Sequence, residues 1–100
     1  MNVGKKVIVR AQVAGVHAGV VESFDPATQT VTLTGAYRLW RVYTRDKSGS
    51  ISDVAANGLK PNGGHSVGAK LACVVIVNPP GLELDAMTEE AYASIEAWKN

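Results

Sequence analysis

Cysteine is almost absent: the 100 residues hold a single one, Cys73, along with one phenylalanine, two tryptophans and two histidines. One thiol cannot close an intrachain disulfide, so the fold must rest on a hydrophobic core, and the pattern suits a reducing compartment. Cys73 lies in Leu71-Ala72-Cys73-Val74-Val75-Ile76-Val77, which reads as a buried strand with the thiol as a small core residue. Two imidazoles and one thiol, without clustered carboxylates, fall short of a four-ligand zinc site. Long apolar runs are missing too. Ala11 to Val21 and Leu71 to Leu82 are interrupted and well short of the ~20 residues that span a bilayer, so no membrane partner is expected. Met1-Asn2-Val3-Gly4-Lys5-Lys6 leads straight into a strand-like run rather than the apolar stretch of a signal peptide.

Neither sign of charge dominates, the formal net charge being +1. That leaves little capacity to neutralise phosphates along a polymer, and nucleic acid is not an expected partner. The balance hides an asymmetry. Residues 1–80 carry nine basic side chains against four acids, whereas five acids and only Lys99 follow from Gly81 onward. Such a split suits the tail of one subunit docking on the body of another, or a basic face left open for an anionic ligand. With 46% hydrophobic and 19% charged residues, the chain reads as one folded domain over 1–100, too short for a two-domain enzyme or a doubly wound nucleotide fold. A β-rich body over 1–80 would be followed by an acidic arm and helix over 81–100.

Valine at a period of two marks the first half. Lys5 to Val13 places Val7, Val9, Ala11 and Val13 on one face, the pattern of a half-buried strand. A second extended segment, Ala14 to Ser23, contains Gly15 and Gly19, each a sign of a turn, a bulge or the close approach of another backbone. Asp25-Pro26 signals a type I turn, and Gln29 to Thr34, with Val31 and Leu33 inward, makes a hairpin partner. After Gly35 comes an aromatic strand, Ala36 to Thr44, with Arg38, Trp40 and Val42 on one face and Tyr37, Leu39, Arg41 and Tyr43 on the other. Ser50 opens a short helix that Asn57-Gly58 closes, with Leu59 folding back on Val54 or Ala55. Ser66 to Val77 returns to strand, its centre apolar enough for burial on both faces. Asn78-Pro79-Pro80-Gly81 ends it, and Leu82 to Met87 is open between strand, loop and exchanged arm. The last helix runs from about Glu89 to Trp98, capped by Thr88, with Met87, Ala91, Tyr92, Ile95 and Trp98 as its apolar stripe. The expected class is α+β: a mainly antiparallel sheet of about five strands, a short internal helix and a C-terminal helix.

Catalytic motifs are scarce. Gly63 to Lys70 has the glycine spacing of a phosphate loop, but Ala69 stands where lysine is required, and a strand follows instead of a helix. No serine, histidine and aspartate share a positional signature of a triad. Binding chemistry is better represented. His17 sits between Gly15 and Gly19, where bare backbone admits a flat base or a phosphate while imidazole stacks or donates; the plain alternative is a partly exposed hairpin histidine. Arg38, Trp40 and Arg41 combine guanidinium charge with an aromatic face, suited to phosphates and bases, or simply to sheet packing.

Val7-Ile8-Val9-Arg10, Ala14-Gly15-Val16-His17-Ala18-Gly19, Ala36-Tyr37-Arg38-Leu39-Trp40 and the helix ending Ala56-Asn57-Gly58 follow one another in an order that resembles a family of small bacteriophage and prophage proteins. The resemblance covers nearly the whole chain, and its motifs are signatures of no reaction. This sequence departs from it at Tyr37, where the family often has arginine, and at Arg41-Val42-Tyr43. A phage origin implies a virion component, an inhibitor of a host factor or a counter-defence protein. The build is similar in type to phage sponges that trap cyclic nucleotides or cyclic ADP-ribose derivatives. The expectation is therefore a non-enzymatic, homo-oligomeric protein of the infected cell's cytoplasm that needs no cofactor and sequesters a small anionic nucleotide signal through His17, Arg38, Trp40 and Arg41. The alternatives are a virion structural or decoration protein and a protein inhibitor of a host enzyme.

Overall fold

The alternation of valine with polar residues produces the sheet that it predicts. The computed structural model describes residues 3–11, 15–41, 51–60, 65–77 and 82–98. Within them run β1 (Lys6–Ala11), β2 (Gly15–Asp25), β3 (Thr30–Arg41), α1 (Ile51–Asn57), β4 (Ser66–Val67), β5 (Leu71–Ile76), β6 (Glu83–Ala86) and α2 (Glu89–Ala97). The class is α+β, a six-stranded sheet with antiparallel pairing throughout and one internal and one C-terminal helix. The strand order is β4-β3-β2-β1-β6, and β5 shares the outer edge of β3 with β4.

β3 is long because two predicted segments fuse. Gln29 to Thr34 and the aromatic strand form one element through Gly35, which sits at φ +53 and marks a bulge rather than a break. Residues 36–41 of the aromatic strand are described; its end at Val42 to Thr44 lies outside the described residues, as does the Ser50 cap. At the hairpin, the Asp25 carboxylate accepts the Ala27 N–H at 2.9 Å, and Gln29 closes the turn in the left-handed region at φ 52.

Apolar side chains gather on both faces of the sheet. One carries α1 and α2 over Ile8, Ala18, Tyr37, Leu39 and Val67, with Val54, Ala55, Leu59, Tyr92 and Ile95 contributed by the helices and the turn after α1. The other gathers Val7, Val9, Ala11, Val21, Val31, Leu33, Ala36 and Ile76, with Leu82 and Leu84 from the far edge. A strand bordered on both sides alternates its residues between the two clusters, as Val7, Ile8 and Val9 do, all fully buried. This explains why β1 reads as continuously apolar.

α1 ends as its sequence predicts: Gly58 at φ +82 gives its N–H to Val54 O, and Leu59 is buried beside Val54 and Ala55. α2 is capped by the Thr88 hydroxyl, which accepts the Ala91 N–H at 3.0 Å, and Ala91, Tyr92 and Ile95 form its buried stripe. The acidic arm docks on its own body. Lys6 Nζ meets Glu89 at 2.9 Å and Lys70 Nζ meets Glu96 at 3.1 Å, so the charge asymmetry is used within one chain. Leu82 to Met87 resolves into β6, paired with β1.

β5 departs from the burial that its apolar pattern predicts. Burial on both faces was expected, yet Leu71, Ala72, Cys73 and Val75 are exposed and Val74 is half-buried; only Ile76 is buried. Cys73 is an exposed thiol rather than a core residue. The physical reason is position: among the described residues β5 pairs with β3 alone, so its apolar composition lies along an edge of the sheet.

Candidate functional site

Antiparallel pairing places directly opposed residues on one face, so the registers define a surface. His17 lies opposite Arg38 on β3 and opposite Val9 on β1; Gly15 lies opposite Ala11. Gly15, His17, Arg38 and Trp40 therefore share the face that looks away from α1 and α2. Tyr37 and Leu39, the alternate residues of β3, are buried beneath the helices. The four-residue constellation predicted for this region is brought together for His17, Arg38 and Trp40. Arg41 pairs with Ser66 on β4, and its side chain lies outside the described residues.

The arginine is held on three sides. Its guanidinium carbon lies 4.2 Å from the centre of the Trp40 ring, a cation–π contact. On another side it presses on Gly15, whose φ of +86 and missing side chain admit it: a Cβ built there would lie 2.8 Å from Cζ and 2.9 Å from Nε. Behind it, Gly68 gives its N–H to Arg38 O at 2.7 Å and leaves room for the Arg38 Cβ. Gly15 was predicted to mark a close approach of backbone, and the object approaching is this guanidinium. No carboxylate among the described residues pairs with Arg38, and its buried Nε has no hydrogen-bond partner among them.

His17 is buried, not partly exposed, and its Nδ1 likewise lacks a hydrogen-bond partner among the described residues. Burial pushes its pKa below the usual histidine value, and the Arg38 charge pushes in the same direction. The imidazole is thus neutral near pH 7. Trp40 keeps 66% of its surface in water, an unusual exposure for the largest aromatic, and has one side on the guanidinium. The surface offers a cationic edge, an open ring face and a desolvated imidazole within two strands.

A second cluster escaped the sequence reading. At β6, burial raises the Asp85 carboxyl to about 6, a hydrogen bond and charge from Glu83 add to the rise, and Arg10 opposes it. Glu83 and Asp85 alternate on one face of β6, opposite Arg10 and Ile8 of β1. The signal available in the sequence was the spacing Glu83-Leu84-Asp85, whose two carboxylates share a face only once the segment is known to be a strand.

Neither a curated protein nor a solved structure matches the chain. A family model described as a domain of unknown function (DUF6948) matches residues 4–95, the span that carries β1 through nearly all of α2, and the chain belongs to that family.

Proposed function

We propose that the protein is a non-enzymatic binder of a small anionic nucleotide, which it takes on the His17, Arg38 and Trp40 face and, in a phage-infected cell, withholds from a host defence effector. The observation that carries this reading is the Arg38 guanidinium. It has no carboxylate partner among the described residues and is fixed between Gly15 and an exposed Trp40. A guanidinium restrained in this way is pre-organised for bidentate contact with a phosphate, because its ordering has already occurred in folding. The ring beside it supplies a stacking surface for a base, worth on the order of 1–3 kcal/mol. His17 adds an imidazole that can donate a hydrogen bond, and that gains a proton most readily when an anion arrives.

Titration calorimetry with 3′,5′-cyclic mononucleotides, cyclic dinucleotides and cyclic ADP-ribose tests the reading, with native mass spectrometry to show that the ligand leaves unaltered. One class is expected to bind stoichiometrically, and Arg38→Ala to weaken it at least tenfold while the fold is retained. An absence of binding across the panel at high micromolar concentration, or unchanged affinity in Arg38→Ala, removes the proposal.

A further inference from the structure

We propose that β5 pairs antiparallel with β5 of a second copy, continuing the sheet across a two-fold axis. β5 is an edge strand: β3 occupies one side, and no strand among the described residues occupies the other. Leu71, Val75 and Val77 leave 44, 53 and 69% of their surface in water, and Cys73 is exposed between them. Natural sheets blunt such edges with lysine, proline or inward charge. None stands within Leu71 to Val77; Lys70 just before it is tied to Glu96, and Pro79 comes only after the strand.

An identical copy is the occupant that this edge fits. A segment of seven residues without one charged side chain offers nothing to an acidic or basic partner, and is complementary to itself. Symmetry then restricts the register. A two-fold axis normal to the sheet keeps each copy's faces on the same side, so a residue must oppose one of equal parity, and the axis passes beside a residue rather than between two. Centred on Val74, this sets Leu71 of one copy against Val77 of the other and Cys73 against Val75, which joins all the exposed apolar side chains in one ladder. The three large side chains expose roughly 250 Å² per copy, a substantial part of the ~600 Å² that each partner contributes to a small stable interface, and the seven-residue backbone ladder adds to it. Val74 and Ile76, which face the second core cluster, would carry that cluster across the axis.

The test uses sedimentation velocity at about 50 μM together with cross-linking through Cys73, the chain's single cysteine. In the proposed register the two thiols lie on diagonal positions about 7–8 Å apart, within reach of a short bismaleimide. A dimer is expected, with efficient cross-linking. Val75→Lys, at an exposed position, is expected to raise the dimer dissociation constant at least tenfold and abolish the cross-link while the circular dichroism spectrum is unchanged. Val3→Lys, at a comparably exposed site away from β5, leaves both intact. A monomer at 50 μM overturns the proposal, and so does a dimer that survives Val75→Lys. Nucleotide affinity distinguishes this from the binding reading: Arg38→Ala keeps the dimer, and Val75→Lys keeps the affinity.

Discussion

Replacing Gly15 by alanine separates what the backbone requires from what the site requires. The residue sits at φ +86, and a Cβ there would lie 2.8 Å from Arg38 Cζ, below any distance that real Cβ atoms keep. Two consequences follow, of different size. The left-handed backbone penalises an L side chain by about 1–2 kcal/mol, and for a domain of this length each kcal/mol lowers Tm by roughly 4–8 °C. The clash itself costs the fold little, because the atoms in the way are the far end of a flexible side chain that can swing outward. That swing takes the guanidinium off Trp40 and away from its pre-organised position, so nucleotide affinity should fall at least tenfold. A double-mutant cycle checks the reasoning by thermal denaturation and calorimetry together. In stability, Gly15→Ala costs about the same with or without Arg38→Ala, since both backgrounds carry the same backbone strain. In binding, the double variant is no weaker than Arg38→Ala alone. Wild-type affinity in Gly15→Ala, or a stability loss below about 0.5 kcal/mol, would refute the account of why this glycine is there.

Gly19→Ala is expected to destabilise by about 1–3 kcal/mol in guanidinium denaturation, because its Cβ would lie 3.2 Å from Thr34 O and 3.3 Å from Ala36 Cα, and backbone atoms cannot swing aside; a loss under 0.5 kcal/mol would count against the packing described. Asp85, raised to about 6 in the fold against 3.8 for the unconstrained side chain, favours the folded state when protonated, so its contribution is present below 3.8 and is lost as pH rises through 6. Tm of the wild type relative to Asp85→Asn should therefore climb by a few degrees between pH 7 and pH 4, corresponding to about 1 kcal/mol after allowance for solvent screening, and parallel curves would refute it. His17 has the opposite sign: its pKa is lowered, so its stabilising contribution is present above 6.5 and diminishes as pH falls and the unfolded chain takes up the proton. An arriving anion reverses that cost, so affinity for a cyclic nucleotide, whose phosphodiester does not titrate here, should strengthen from pH 7.5 to 5.5 in wild type and stay flat in His17→Asn.

Much of this architecture is legible in the sequence because the responsible interactions are local. Thr88 caps α2 through a bond three residues away, Gly58 closes α1 through a left-handed turn, and Val31 and Leu33 point inward because a strand alternates. β5 departs from its pattern for the reverse reason. Leu71 to Val77 has the composition of a central strand, and composition does not record whether a strand has one neighbour or two. Likewise, the acidic arm was open to docking on another subunit, and only the distances from Lys6 to Glu89 and from Lys70 to Glu96 assign it to its own body. At the candidate site, the residue types and the importance of Gly15 were readable. The burial of His17 was not, because it depends on β1 lying alongside, eight positions earlier in the register.

The direction in which Arg38 faces is set far from Arg38. Strict alternation from Val31 and Leu33 would carry Tyr37 and Leu39 into the same core cluster, and would turn Arg38 and Trp40 under the helices. The extra residue that β3 inserts at Gly35, between the Val20–Thr34 and Ala18–Tyr37 pairs, inverts the order, so Tyr37 and Leu39 pack beneath α2 while Arg38 joins His17 on the open face. The bulge is held from α2: the Tyr92 hydroxyl donates to Gly35 O at 2.6 Å, and the Tyr92 ring packs edge-on against Tyr37. Glu96, one turn further along the helix, accepts a hydrogen bond from the Tyr37 hydroxyl and pairs with Lys70 at the start of β5. A helix with no binding chemistry of its own thereby fixes the parity of the strand that carries the site, and anchors the residue that precedes the exposed edge. Substitutions in α2 would reach both surfaces through this one bulge and one ion pair, without touching a residue of either.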